Sequence, residues 1–258
     1  MPVERQGRMI NALVHPGRNG YLWTLERSAD DINFVDAEPY VYQNAFAGLD
    51  PETGRPTYDP KHKPTTGSTT SFCPSLWGGK DWPPAAYNPE SGLLYIPAND
   101  NHCGVIEGRD VTYMPGSAYM GARTQMTVPE GADHIGEIQA WDMNTGKEVW
   151  TRQFDSHNWG GILTTSGNLI FSGGTSDRMF RAHNASTGEL LWEFKTNSGI
   201  IGVPSTFSVD GKQYIAVQAG WGVAAASMTA RLDMVRGTRT FVPQGGVCLL
   251  YTSDAADE

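Results

Sequence analysis

The residues able to do chemistry are few, and their spacing decides what chemistry is open to them. The six histidines, His15, His62, His102, His134, His157 and His183, show no H-x-x-x-H or comparable ligand spacing, which argues against a zinc site. Asp133-His134 and Asp155-Ser-His157 look like pieces of a catalytic triad. They sit in turn-rich segments, however, and no G-x-S-x-G elbow accompanies them, so a hydrolase is not indicated. The three cysteines form no C-x-x-C-H, which excludes covalent haem c attachment within these residues. Tryptophan also stands beside glycine at Asn158-Trp-Gly-Gly161 and Gly220-Trp-Gly222, and the Gly-Gly-Lys-Asp-Trp segment ends at Trp82. Glycines such as Gly160 and Gly161 suit a close backbone approach, whether to a ligand or in a blade turn beside a packed indole.

The elements that position these residues come from a repeat. Ala140-Trp-Asp-Met-Asn-Thr-Gly-Lys-Glu-Val-Trp150 matches Ala182-His-Asn-Ala-Ser-Thr-Gly-Glu-Leu-Leu-Trp192, and Gly146 to Gly188 is a step of 42 residues. Weaker copies of the turn occur at Asp50-Pro-Glu-Thr-Gly54 and Asn88-Pro-Glu-Ser-Gly92. A polar Asx/Thr/Ser segment ending in a glycine that can take positive φ, flanked by strand formers, is hairpin-turn chemistry. Strand-forming runs lie between the turns, at 21–25, 93–96, 137–141, 169–172 and 213–218. Three candidate strands separate the two best turns, and the period leaves room for about four, the pattern of a β-propeller blade. Residues 224–235 read as a helix or a long loop, and 50–84 and 99–133 as long excursions. Trp150 and Trp192 read as packing between blades. Four to five blades fit the length, and an incomplete ring explains that number better than a closed one.

Composition agrees with an all-β chain. Glycine and proline make up 46 of the 258 residues, and aromatic residues another 10%, a balance that favours short strands and tight turns over a helical bundle. No apolar run reaches the ~20 residues needed to span a bilayer, so the chain is not an integral membrane protein. The formal net charge is −9 and no Lys/Arg cluster offers a footprint for phosphates, so nucleic acid is not an expected partner. No secretory leader opens the sequence.

The repeat A-x-(D/N)-x-x-T-G-x-x-x-W resembles the tryptophan-docking motif of the pyrroloquinoline quinone (PQQ)-dependent alcohol dehydrogenases, the methanol/ethanol dehydrogenase family. The segments His15-Pro-Gly-Arg-Asn-Gly-Tyr-Leu-Trp-Thr-Leu-Glu-Arg27, Cys73-Pro-Ser-Leu-Trp-Gly-Gly-Lys-Asp-Trp-Pro-Pro84, Asn158-Trp-Gly-Gly161 and Gly220-Trp-Gly222 follow in family order, so the likeness runs from about residue 5 to 247. The resemblance implies the C-terminal half of an eight-bladed β-propeller whose central funnel holds PQQ. It implies cofactor contacts at Asp81, Trp82, Trp159, Gly160, Trp221 and Gly222, and a disulfide between Cys73 and Cys103, hence an oxidising compartment, the bacterial periplasm. Asp81 stands where the family carries an asparagine on the quinone oxygens. A carboxylate there must be protonated, paired with a cation such as Lys80, or turned away.

The activity implied is oxidation of a primary alcohol to an aldehyde, with a Ca²⁺ or lanthanide ion as Lewis acid and cytochrome c as electron acceptor. The catalytic aspartate and the metal ligands are expected N-terminal to residue 1, so the chain holds no catalytic residue of its own and is expected to be inactive alone. A homodimer is left open. Two other readings stand beside this one: a PQQ dehydrogenase of sugars or polymeric alcohols, and a non-catalytic propeller scaffold resembling the outer-membrane assembly lipoproteins. The scaffold proteins lack the Trp-Gly-Gly edge, the Gly-Trp-Gly segment and the cysteine pair. Residues 1–247 are thus expected to form the partial propeller. The string Cys248-Leu-Leu-Tyr-Thr-Ser-Asp-Ala-Ala-Asp-Glu258 resembles translated sequencing-adapter DNA and is expected to be a foreign tail.

Overall fold

Short strand-forming runs punctuated by glycine turns favour antiparallel pairing. The computed structural model, which describes residues 1–5, 7–117 and 120–252, shows this. The chain divides into two compact units. One comprises residues 11–81 and 100–132, the other residues 1–10, 82–99 and 133–258.

β1 (Pro2–Arg5), β2 (Arg8–Pro16), β3 (Tyr21–Arg27) and β4 (Ile32–Pro39) form a sheet in chain order, and the boundary between the units falls inside β2. In the smaller unit β5 (Phe46–Leu49) pairs with β6 (Pro56–Tyr58), and β7 (Thr69–Phe72), β10 (Cys103–Gly108) and β11 (Ala122–Thr127) form a sheet ordered β11-β10-β7. The long excursions therefore contribute a sheet of their own. Its strands Thr-Thr-Ser-Phe and Ala-Arg-Thr-Gln-Met-Thr carry no apolar run, and for that reason they are inconspicuous in the sequence.

The larger unit holds β8 (Ala86–Asn88), β9 (Leu93–Asn99), β12 (Gly136–Asp142) and β13 (Lys147–Phe154), ordered β13-β12-β9-β8. Next comes the meander β14 (Ile162–Thr164), β15 (Leu169–Ser172), β16 (Met179–Asn184) and β17 (Leu190–Lys195). The last sheet is β18 (Ser205–Val209), β19 (Lys212–Ala219) and β20 (Val247–Thr252). Four strands, β13 to β16, thus lie between Gly146 and Gly188, as the period requires. β20 pairs along β19 from Ala219–Val247 to Tyr214–Thr252. It includes the first residues of the tail, while the tail's residues 253–258 lie outside the described residues.

All four turns share one construction. The side chains of Asp50, Asn88, Asp142 and Asn184 accept from backbone N–H groups two residues on, at 2.8–3.0 Å. The glycine four residues on donates its N–H to the same residue's carbonyl and takes φ between +68° and +72°, a region that other L-residues enter only with strain. Tryptophan then ties one sheet to the next. The Trp150 indole donates Nε1–H to the Ala185 carbonyl at 3.0 Å, and it covers Gly188 so closely that a Cβ there would sit 2.6 Å from a ring carbon. Around it pack Leu93, Tyr95 and Ile138 from one sheet and Ile162, Ile170 and Ala185 from the next. At the following interface Phe171, Phe180, Ile215 and Val217 form the core, and Trp192 packs on aromatic rings instead of a glycine turn, edge-on to Tyr251 with ring centroids 5.1 Å apart.

Residues 224–235 resolve as helix. α1 (Gly222–Arg236) is rich in Ala, Met, Leu and Arg, all good helix formers, and is closed by Gly237 in the left-handed region. Its buried face is Ala225, Met228, Thr229 and Leu232, the i, i+3, i+4, i+7 stripe of a helix lying on a core.

Two predictions follow from this packing. Gly188→Ala forces both positive φ and a clash with the Trp150 ring, and should cost about 2–4 kcal/mol in urea unfolding. Gly146→Ala meets only the flexible guanidinium of Arg5 and should cost about 1–2 kcal/mol. Equal losses would disprove the docking role of Trp150. His183, buried on β16, has its pKa pushed down to about 4, first by burial and then by Arg181 and Arg152. Its neutral form is the folded one, so the stability it provides is complete above pH 6.5 and is lost as the pH falls towards 4, on the order of 3 kcal/mol in all. His183→Gln should flatten that part of the stability profile.

Candidate functional site

Two of the tryptophan-glycine segments, those of Trp82 and of Gly220–Gly222, line a cavity of about 520 Å³ in the larger unit, and Trp159, Gly160 and Gly161 are not among its lining residues. Its lining includes Trp82, Val203, Gln218, Gln244 and the glycines at 202, 220, 222 and 245. β19 ends at Ala219, and the chain turns through Gly220-Trp221-Gly222 into α1. Gly220 donates to Gly199 at 2.7 Å and Trp221 to the Gln244 carbonyl at 3.3 Å. Gly222 takes φ +64°, and a Cβ there would sit 2.9 Å from Ile201, so the cavity wall is backbone by necessity. α1 begins at this wall with no side-chain cap and no acidic residue in its first turn. Its leading N–H groups and positive dipole end are therefore free for an anion.

Trp82, 47% exposed, presents its indole to the cavity. Edge-on to it, with centroids 6.5 Å apart, lies Trp159, only 4% exposed. The Trp159 backbone N–H is satisfied by the Gly174 carbonyl at 2.8 Å, but its indole Nε1–H is buried with no hydrogen-bond partner among the described residues. A buried donor left unmade is costly, and a polar ligand atom would satisfy it. Gly160 lies where a Cβ would meet the Gly173 and Gly174 backbone at 2.9 Å. The turn is fixed from below, because Asn99 Nδ2 donates to the Asn158 carbonyl at 3.0 Å while Asn158 N donates to Asn99 Oδ1 at 2.8 Å. Trp221 itself does not line the cavity. It is 1% exposed and stacks on the buried His157 ring at 5.4 Å, so its neighbours Gly220 and Gly222 form the wall instead.

In the smaller unit Asp81 pairs with Arg18, Nη1 to Oδ1 3.5 Å. Of the three states open to Asp81, pairing with a cation is the one observed, but the cation is not Lys80. Lys80 donates Nζ–H to the backbone carbonyl of Asp81 at 2.9 Å, and its burial lowers its pKa against the upward pull of the Asp81 charge. Arg18 was missed in the sequence reading. The signal for it was a charged side chain inside the Gly-Arg-Asn-Gly turn that precedes β3. Gly78 and Gly79 explain the closeness: a Cβ on Gly78 would lie 2.6 Å from the Arg18 backbone carbonyl, and Gly79 N donates to that carbonyl at 3.1 Å. Cys73 and Cys103 form a disulfide. A second link joins the same two segments, where Ser75 Oγ meets His102 Nδ1 at 2.7 Å and Ser75 N donates to the His102 carbonyl at 3.1 Å.

Antiparallel sheets docked tryptophan-on-glycine, with a glycine-walled cavity beside two indoles, define a tryptophan-docking β-propeller. Residues 151–215 match the family described as glucose/ethanol/alcohol dehydrogenase, beta-propeller domain, of the PQQ type. The chain is 36% identical to a quinoprotein ethanol dehydrogenase of Pseudomonas putida over 98% of its own length and 41% of that protein's. It is 39% identical to the lanthanide-dependent methanol dehydrogenase of Methylacidiphilum fumariolicum over 84% of the chain and 36% of the relative. A solved europium-containing methanol dehydrogenase superposes with a TM-score of 0.82 at 34% identity, covering 95% of this chain and 45% of the other. The chain belongs to the PQQ-dependent alcohol dehydrogenase family and spans about two fifths of the length of the curated relatives it matches.

The disulfide should be a main support of the smaller unit. By the chain-entropy relation, closing a loop of 30 residues stabilises by about 3–4 kcal/mol. Reduction, or Cys73→Ser with Cys103→Ser, should lower the unfolding midpoint accordingly, and an unchanged midpoint would show that the Ser75–His102 link suffices.

Proposed function

We propose that this chain supplies one wall of the cofactor site of a PQQ-dependent dehydrogenase that oxidises a primary alcohol to an aldehyde, and that the whole protein passes electrons to cytochrome c in the periplasm. The observation that carries the proposal is the uncapped start of α1 at a glycine-walled cavity lined by Trp82, whose ring abuts Trp159, an indole with no hydrogen-bond partner among the described residues. A flat, multiply charged carboxylate such as PQQ fits these groups. Trp82 would stack on its ring plane, the first N–H groups of α1 at Gly222 would receive a carboxylate, and Trp159 Nε1–H would donate to one of its oxygens. Gly160 lets the Trp159 turn lie against the Gly173-Gly174 backbone. When bound, PQQ supplies the two-electron acceptor that no side chain offers.

In this reading Arg18 neutralises Asp81, the residue that the family resemblance assigns to the quinone oxygens. None of the residues lining the cavity is acidic, so the hard oxygen ligands that Ca²⁺ or a lanthanide needs, and the aspartate that takes the alcohol proton, are assigned to the part of the whole protein outside this chain. No helix among the described residues is long and apolar enough to cross a membrane. The tail Cys248–Glu258 is proposed to be foreign. Its Cys-Leu-Leu-Tyr string has the strand propensity that β20 uses, and strand propensity does not report origin.

Titrating PQQ into the whole protein should quench tryptophan emission saturably, and Trp82→Ala should weaken binding about tenfold, the worth of one stacked aromatic ring. Wild-type protein that shows no saturable quenching would overturn the dehydrogenase reading in favour of a scaffold.

A further inference from the structure

On the buried face of α1, Thr229 stands out as the one polar residue among Ala225, Met228 and Leu232. Its hydroxyl oxygen has three neighbours: it donates to the Ala225 carbonyl at 2.9 Å, and it meets Trp221 Nε1 at 3.3 Å and His157 Nε2 at 3.1 Å. Proton accounting settles the roles. The single hydroxyl proton goes to the helix carbonyl, so both lone pairs are available to accept. The indole can only donate, and with the hydroxyl proton on the Ala225 carbonyl the contact to His157 closes when the histidine carries a proton on Nε2.

This oxygen holds two sides of the cavity at once. Trp221 lies between the wall residues Gly220 and Gly222. His157, fully buried, stacks on Trp221 on one side and meets the Trp159 ring edge-on at 6.3 Å on the other, and Trp159 in turn abuts Trp82. We propose that Thr229 is a positioning residue: through one hydroxyl it fixes the Trp221 indole and the His157 ring, and with them the glycine wall of the cavity and, through Trp159, the cavity-lining indole of Trp82. The proposal rests on the reading of the cavity as a PQQ site only for its consequence on binding. The geometry of the relay stands apart from it.

Thr229→Val keeps the shape and removes the acceptor, leaving two buried donors without a partner, whereas Thr229→Ser keeps the oxygen. In the whole protein, Thr229→Val should weaken PQQ binding about tenfold and change the near-ultraviolet circular dichroism of the tryptophans, while Thr229→Ser stays within about twofold of wild type. With selectively ¹⁵N-labelled histidine, wild-type His157 should show a proton on Nε2 at neutral pH. A neutral ring protonated on Nδ1, or a Thr229→Val protein matching Thr229→Ser in both spectrum and affinity, would overturn the proposal. If Thr229→Val does not fold, the wild-type histidine spectrum and the Thr229→Ser comparison decide. If wild-type protein binds no PQQ, the cofactor reading falls, and the histidine and dichroism spectra still decide the relay.

Discussion

The larger unit depends on one contact made between neighbouring repeats, the Trp150 indole lying over the Gly188 turn. Each sheet is only four strands wide and cannot bury both faces by itself, so it needs a neighbour pressed against it at close range. Glycine allows that approach because a Cβ at the same place would penetrate the ring. The Nε1–H of Trp150 is not lost in the process, since the Ala185 carbonyl in the same turn accepts it. A large apolar face, a satisfied polar edge and a backbone without a side chain fit together at one point, and the aliphatic core of the two sheets closes around it.

The cavity reuses the same pairing of tryptophan with glycine for a different end. At Gly188 the glycine admits an indole from the next sheet. At 220 and 222 the glycines leave a wall without side chains, and the indole between them is turned away into the interior. The helix that follows lacks the usual devices at its N-terminus: no side chain caps it there and no acid lies in its first turn. An N-terminus left in that condition at a cavity is electrostatically positive at no cost in mobile charge. Beside it Trp159 keeps an unsatisfied donor. Both features are expensive in an empty protein and useful in one that holds an anionic, oxygen-rich ligand.

Charge in the smaller unit is arranged with similar economy. Asp81 brings a carboxylate to a loop where the family resemblance leads one to expect an amide, and Arg18, held by the Gly78-Gly79 backbone, supplies the compensating cation. The Cys73–Cys103 bond and the Ser75–His102 contacts bind the loop's root to the strand β10. The departure from the family residue is thus accompanied by a local neutralisation rather than by an isolated buried charge.

Local rules made much of this legible in the sequence. Asx-Thr-Gly turns carry their own hydrogen bonds and their own requirement for positive φ, so the positions of Gly54, Gly92, Gly146 and Gly188 could be read from residue types, and the room for about four strands between Gly146 and Gly188 from their 42-residue step. The docking role of Trp150 followed from the same repeat. Other features needed the third dimension. The polar strands β7 and β11 have no apolar period, because their pairing with β10 rather than core burial defines them. Arg18 and Asp81 lie 63 positions apart in the chain and meet only because two glycine loops fold onto each other. Thr229 in a helix of good formers reads as neutral, and only the tertiary structure brings Trp221 and His157 to its oxygen. Sequence determined the hairpins, where the interacting groups are a few residues apart. Tertiary structure decided which distant donors share an acceptor, because no local spacing encodes a contact closed by packing.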